Sequence, residues 1–542
     1  MSAASFSRRS VLAGGLGAIA AVPALAQAAG ARPTARPVVA TRAGRLAGAM
    51  EGGVFVFRGI PYGEPTGGAA RFLPPRPKQG WDGIREATAF GARCPQRGGP
   101  GGPGSSRFSE DCLVANVWTA SLEGEKPVMV WLHGGGWEVG GGDDPVSNGA
   151  WLARMQDVVL VSINHRLNVF GYLDLSGIGG EAYAHSANAG VLDIALALQW
   201  VRDNAAAFGG DPDRVLIFGQ SGGGRKTSTM MAMPAAAGLF QRCVVESGPA
   251  LRMDERDVAT DRAERLLHRL GIGPGELDRL ATVPTARLTA AGIEVRNETG
   301  QFRPMVDGSS LPRHPFHPDA PLISAQVPMM IGTARDETAL FLGNEPAYAA
   351  MSAAELLAQS ARFFPEGEAA GAIATWRGMF PDFSNGKLFA RLTTDRSYFL
   401  DATLQAERKA ALGRAPAFLY TIDWQSTVGA FDHVTPHGTE LPFVFGNLAA
   451  WPFLGAITPK AEMLRSTMSG AWASFARNGV PDHPGMPQWL PYEPSLRATM
   501  LFGEHVRLES DPFRAERSFM ARFGSEQLGA YEPRPPGPWI RN

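Results

Sequence analysis

The chain has little of what would commit it to a disulfide scaffold, a membrane or a polyanion. Only three of its 542 residues are cysteine, too few to staple a fold. Lysine and arginine (51) balance aspartate and glutamate (52), so neither sign is in excess and nothing electrostatic points to nucleic acid as a partner. No internal repeat is present, and beyond the N-terminus no apolar run is long enough to span a membrane, so the mature protein is expected to be soluble. An HExxH pattern is also missing. His433 and His437 have i,i+4 spacing, but Pro436 breaks any helix between them, and His314 and His317 lie in a proline-rich segment, so no metal and no cofactor are expected. No Ser/Pro/Gly linker divides the chain, and residues 38–542 read as one domain. Nothing in the sequence sets an oligomeric state.

The N-terminus reads as an address. Arg8 and Arg9 precede a glycine-diluted apolar stretch over 11–26, and Ala24 and Ala26 fit a small-residue cleavage site. Residues 1–26 are therefore expected to be a cleaved twin-arginine-type export signal, with 27–37 a flexible leader and the protein periplasmic or secreted. In an oxidising compartment three cysteines suggest one bridge and one thiol left over. Cys94 and Cys112 flank a Gly/Pro/Ser-rich stretch over 96–109, whereas Cys243 sits in an apolar run and is expected to be buried. Cys94 with Cys112 is the expected disulfide, and closing such a loop stabilises by about 3 kcal/mol in the loop-entropy picture.

What the chain does have is alternation. Short apolar, β-branched runs over 128–132, 158–163, 215–218, 243–245, 329–331 and 418–422 are separated by longer helical stretches, which predicts a mostly parallel sheet flanked by helices. Ser221 follows the third run in Gly219-Gln220-Ser221-Gly222-Gly223 and precedes a Met- and Ala-rich helical stretch. Strand, sharp turn and helix with a serine at the apex is the layout of a nucleophile elbow, and glycine on both sides is what so tight a turn requires. With 65 glycines present, the bare GxSxG spacing is expected by chance roughly 0.4 times, so its context must decide.

That context is chemical. His133-Gly134-Gly135-Gly136-Trp137 follows the first run, and glycine amides there can approach a developing negative charge. A serine also needs a base, and the base needs an orienting acid. Asp336 and Glu337 follow the run over 329–331, and His437 follows the run over 418–422, giving the order Ser, acid, His. His433 and Asp336 are the rival base and acid. Trp137, beside the glycines, is a candidate wall of an acyl or alcohol pocket.

The chain resembles the type-B carboxylesterases, the α/β-hydrolase family that includes bacterial para-nitrobenzyl esterases and the cholinesterases. The resemblance runs from about Val39 to Gly479 and rests on Phe57-Arg58-Gly59-Ile60-Pro61-Tyr62-Gly63, Ser109-Glu110-Asp111-Cys112-Leu113, Asn164-His165-Arg166-Leu167, Leu198-Gln199-Trp200-Val201-Arg202-Asp203-Asn204, Phe208-Gly209-Gly210-Asp211-Pro212, and His437-Gly438 with the run over 440–446. It implies Ser221 as nucleophile, His437 as general base, Glu337 as its orienting carboxylate, and the amides of Gly135, Gly136 and Gly222 as oxyanion donors. It also implies the Cys94 to Cys112 bridge and a small-molecule ester as substrate. Amide, carbamate and thioester cleavage would use the same machinery, and relatives lacking a working triad serve as binding proteins.

Two positions depart from the family pattern. Gln220 stands where glutamate is usual, removing a negative charge near the forming imidazolium, and Gly222 stands where alanine is usual. Arg225 and Lys226 occupy the first turn after the elbow, where cations oppose the helix dipole, and both are expected to be solvated or salt-bridged.

Overall fold

A computed structural model describes residues 36–98, 107–342 and 346–525. The expected export signal (1–26), residues 27–35 of the expected leader and the middle of the glycine-rich stretch (99–106) lie outside the described residues. Described strands, in chain order, are β1 (Val38–Ala40), β2 (Arg45–Ala47), β3 (Ala49–Glu51), β4 (Val54–Pro61), β5 (Ile84–Glu86), β6 (Val114–Thr119), β7 (Lys126–Leu132), β8 (Val159–Ile163), β9 (Gly210–Gln220), β10 (Arg242–Glu246), β11 (Met329–Ala334), β12 (Ala417–Ile422), β13 (Ala498–Phe502) and β14 (Arg507–Ser510).

The six apolar runs of the sequence are β7 to β12, and they lie side by side. The large sheet has the order β14-β13-β12-β11-β10-β9-β7-β8-β6-β4-β3, while β1, β2 and β5 form a small separate sheet. Pairing is parallel from β8 across to β13 and antiparallel at both edges. The edge strands carry weaker apolar signals: β4 is interrupted by Arg58 and Gly59, β6 by Asn116, and β14 is largely polar.

Period-two alternation sends each parallel strand's side chains into two different cores. Val128, Val130 and Leu132 of β7 join Val215 and Ile217 of β9 on one face, under the helix Ala189–Asn204. Met129 and Trp131 join Leu216 and Phe218 on the other, where the helix Pro459–Asn478 contributes Met468, Trp472 and Phe475. Burial on both faces is why these strands read as continuous apolar runs. Between β11 and β12 the chain builds a helical insertion with its own core, including Trp376, Phe389 and Leu392. Within it a π-helical turn, Asp395–Phe399, joins the helices Asn385–Thr394 and Leu400–Ala411.

Candidate active site

Ser221 links β9 to the helix Gly222–Met230 with φ 60° and ψ -121°, a conformation that a non-glycine residue holds only when its surroundings impose it. Its amide donates to the Glu246 carbonyl at the end of β10 (2.8 Å), and its carbonyl accepts from Arg225 N (3.1 Å). The glycines on either side are required by contact. A Cβ at Gly219 would lie 2.5 Å from Leu132 O, and one at Gly223 would lie 1.9 Å from the same oxygen.

The Gly134 to Gly136 loop therefore starts against the elbow. A Cβ on Gly134 would stand 3.6 Å from Ser221 Cβ, and one on Gly222 would stand 2.1 Å from Gly136 O. Gly222 thus lets the loop close directly onto the turn, where alanine would require it to retreat. Gly135 and Gly136 take φ values of 89° and 65°, and the side chain of Gln301, which the sequence did not single out, abuts Gly136. Trp137 departs from expectation: its ring is buried in the core against Tyr172 (centroids 5.4 Å apart, edge to face) instead of lining an open pocket. Phe341 and Tyr398 flank the site instead, with ring centroids 5.2 and 5.4 Å from His437. Tyr398 lies in the π-helical turn, a feature no periodicity in the sequence announces.

His437 and Glu337 are both buried, and the imidazole Nδ1 is hydrogen-bonded to Glu337 Oε2. Glu337 Oε1 accepts from Ala334 N (2.8 Å), so both carboxylate oxygens are held. His437 Nε2 is buried and has no hydrogen-bond partner among the described residues. The rivals are elsewhere. His433 is largely exposed, and Asp336 is bound to Arg391 (2.9 Å) and to Thr435 N (2.9 Å), where it ties down the loop that carries His437.

A file of carboxyls runs inward from Glu337. Burial and the Glu337 charge push Glu440 up to about 7, and Glu440 accepts from Ser247 Oγ (2.9 Å). Glu246 accepts from Trp472 Nε1 (2.6 Å) and is raised well above the ordinary carboxyl range by burial and then by Glu440. Gln220 is also buried, and its Nε2 has no partner among the described residues.

Two further expectations need correction. Lys226 is neither solvated nor salt-bridged: it is fully buried, and its Nζ donates to the His133 carbonyl (2.9 Å). Arg225 is half-buried; burial lowers its pKa, while Tyr398 and Asp401 act to raise it. Cys94 and Cys112 are buried free thiols with no bond between them, although they are neighbours. The hydrogen bond to Cys94, followed by burial, raises the Cys112 thiol well above its ordinary value. Cys243 is buried in β10 as expected.

Residues 35–520 match the model of the carboxylesterase family. The chain belongs to that family. It is 35% identical to a para-nitrobenzyl esterase of Bacillus subtilis (strain 168) over 495 residues, spanning 89% of this chain and 97% of the relative. A phenmedipham hydrolase of Pseudarthrobacter oxydans is 33% identical over 86% of this chain and 95% of its own length. Among solved structures, a Geobacillus stearothermophilus carboxylesterase superposes with a TM-score of 0.79 at 37% identity, covering 89% of this chain and 99% of that one. This carboxylesterase is accordingly a serine-type carboxylic ester hydrolase of α/β-hydrolase fold.

Two outcomes follow for the carboxylesterase. Gly223→Ala places a methyl on the Leu132 carbonyl, so a loss of stability above about 3 kcal/mol is expected in denaturant unfolding; native-like stability would show that the elbow relaxes freely. Glu440 has a folded pKa of about 7, above its ordinary 4.5, so folding takes up a proton and stability falls as pH rises between those values, by about 3 kcal/mol in all. Glu440→Gln is expected to raise Tm at pH 8 and to leave it nearly unchanged at pH 4.5, and an equal shift at both would contradict this.

Proposed function

We propose that this esterase cleaves small-molecule carboxylic esters through an acyl-enzyme, with Ser221 as nucleophile, His437 as base and Glu337 as the carboxylate that orients it. The observations that carry the reading are the His437 imidazole, bound to Glu337 through Nδ1 while its buried Nε2 has no partner among the described residues, and the strained turn that presents Ser221 at the end of β9. With the Nδ1 hydrogen directed at Glu337, Nε2 is the acceptor.

Ser221 Oγ attacks the ester carbonyl carbon as its proton passes to His437 Nε2. The carbonyl oxygen becomes negative and is held by the amides of Gly135, Gly136 and Gly222. Collapse of the tetrahedral intermediate breaks the carbon to alkoxy bond, and Nε2 returns the proton to the departing alcohol. Water then attacks the acyl-enzyme, gives its proton to Nε2, and releases the acid as Ser221 regains a hydrogen. Phe341 and Tyr398, both packed against the imidazole, supply apolar walls for the substrate.

Ser221→Ala is expected to lower kcat on an aryl ester by about 10^4-fold or more with the fold intact, and to abolish labelling by a fluorophosphonate probe that marks the parent protein. Retained turnover in Ser221→Ala would refute the assignment.

The paired Arg8 and Arg9 and the Ala24 to Ala26 site support export of the enzyme to the periplasm or medium. In an oxidising compartment the neighbouring Cys94 and Cys112 thiols are the pair that would close a bridge. N-terminal sequencing of exported protein is expected to start at Gln27, with a mass two hydrogens below the reduced form; a chain that keeps residues 1–26 outside the cytoplasm would contradict cleavage.

A further inference from the structure

Lys226 is a buried cation with no counter-ion among the described residues. It follows Ser221 by five residues on the helix Gly222–Met230, and the one side-chain hydrogen bond it makes among the described residues is the 2.9 Å contact from Nζ to His133 O. Burial is the one influence on its titration, lowering the ammonium to about 7, so no carboxylate among the described residues compensates it. Enclosing an ammonium in this way costs the fold free energy, and replacement by an apolar side chain would recover it.

The groups facing Lys226 deepen the anomaly. The rings of His133 and His165 stack at 4.9 Å and 15°. His133 Nδ1 contacts Gly134 O (2.9 Å), and His165 Nδ1 contacts Arg166 O (2.8 Å), so the hydrogen of each ring sits on Nδ1, and each buried Nε2 is bare. Burial first, and then the Lys226 charge, push both imidazoles well below their ordinary range, which keeps them neutral. Beyond them, Arg93 is paired with Asp143 and Arg166 with Asp193. Lys226 is left, among the described residues here, without a compensating charge.

Its contact leads straight to the loop against the elbow. The His133 carbonyl opens the Gly134 to Gly136 segment, and the Gly134 carbonyl, bound by His133 Nδ1, shares its peptide group with the Gly135 N–H. Polarising these carbonyls strengthens the amides along the same chain of hydrogen bonds. Gln220 preserves the effect: its Oε1 stands 3.4 Å from where a Cβ on Gly134 would be, and a glutamate there would set a negative charge against the lysine.

We propose that Lys226 is a positioning residue for ester hydrolysis: its buried ammonium clamps the His133 carbonyl, fixes the Gly135 and Gly136 amides, and adds positive potential behind them as the substrate oxygen becomes negative. This rests on the oxyanion role given to those amides above.

Lys226→Met separates this role from a structural one because the two predict opposite shifts in Tm. With para-nitrophenyl acetate the variant is expected to lose about 10- to 100-fold in kcat with KM changed by less than about twofold, while its Tm rises. A falling Tm with a matching loss of activity assigns Lys226 to structure and overturns the proposal, as does an unchanged kcat. The parent enzyme supplies a second measurement that needs no variant. Its kcat is expected to decline as pH rises through about 6 to 8, the window in which the ammonium gives up its proton, and a flat profile there overturns the proposal even if Lys226→Met does not fold. Absence of ester turnover and of fluorophosphonate labelling in the parent enzyme would instead defeat the esterase mechanism itself.

Discussion

The site depends on one close approach, that of the Leu132 carbonyl at the end of β7 to the first turn after β9. That oxygen occupies the space a side chain at Gly223 would need, and it crowds Gly219 as well. With both glycines in place the turn can be as tight as φ 60° at Ser221 demands, a backbone cost of about 1–3 kcal/mol for a residue with a side chain. The sheet offsets that cost. The Ser221 amide is held by Glu246 of β10, and the strands on either side are locked by cores on both faces of the sheet. The loop leaving Leu132 runs across the elbow, where Gly136 meets Gly222 backbone to backbone.

From that contact the electrostatics divide. On the side of His437, the carboxyls of Glu337, Glu440 and Glu246 form a buried file, and Glu440 and Glu246 are pushed toward their protonated forms. On the side of the glycine loop lies the buried Lys226, with two imidazoles kept neutral around it. Gln220, next to Ser221, carries no charge between the two. In the proposed mechanism, the Glu337 carboxylate behind the imidazole and the Lys226 ammonium behind the loop would match the charge separation of a serine hydrolase intermediate, imidazolium on one side and oxyanion on the other. Neutrality at 220 matters because a carboxylate there would favour the first partner and oppose the second.

Much of this was legible in the sequence because it is written in local patterns. The six apolar runs became six adjacent strands, and Ser221, Glu337 and His437 stand at or after strand ends because parallel sheets place their loops there. What was not legible depends on packing between distant segments. Trp137 adjoins the glycines in sequence, yet its ring turns into the core against Tyr172, and Tyr398 reaches the imidazole only through a π-helical turn inside the insertion between β11 and β12. Lys226 looked like a surface cation because composition cannot reveal which face of a helix meets the sheet. Cys94 and Cys112 are neighbours but free thiols, and whether such a pair bonds follows from redox conditions and not from proximity.

The adjacent acids Asp336 and Glu337, rivals for one role in the sequence, have two separate tasks in the structure. Glu337 turns inward to the Ala334 amide and the His437 imidazole, whereas Asp336 reaches the Thr435 amide and Arg391. The Asp336 amide also donates to Thr435 O (3.0 Å), so the segment carrying the histidine is gripped at its backbone two residues before the ring is gripped at Nδ1. A histidine 100 residues from its acid must be fixed in position as well as in tautomer. Either carboxylate alone would supply one of these constraints. The consecutive pair supplies both, because neighbouring residues in a turn point their side chains in different directions.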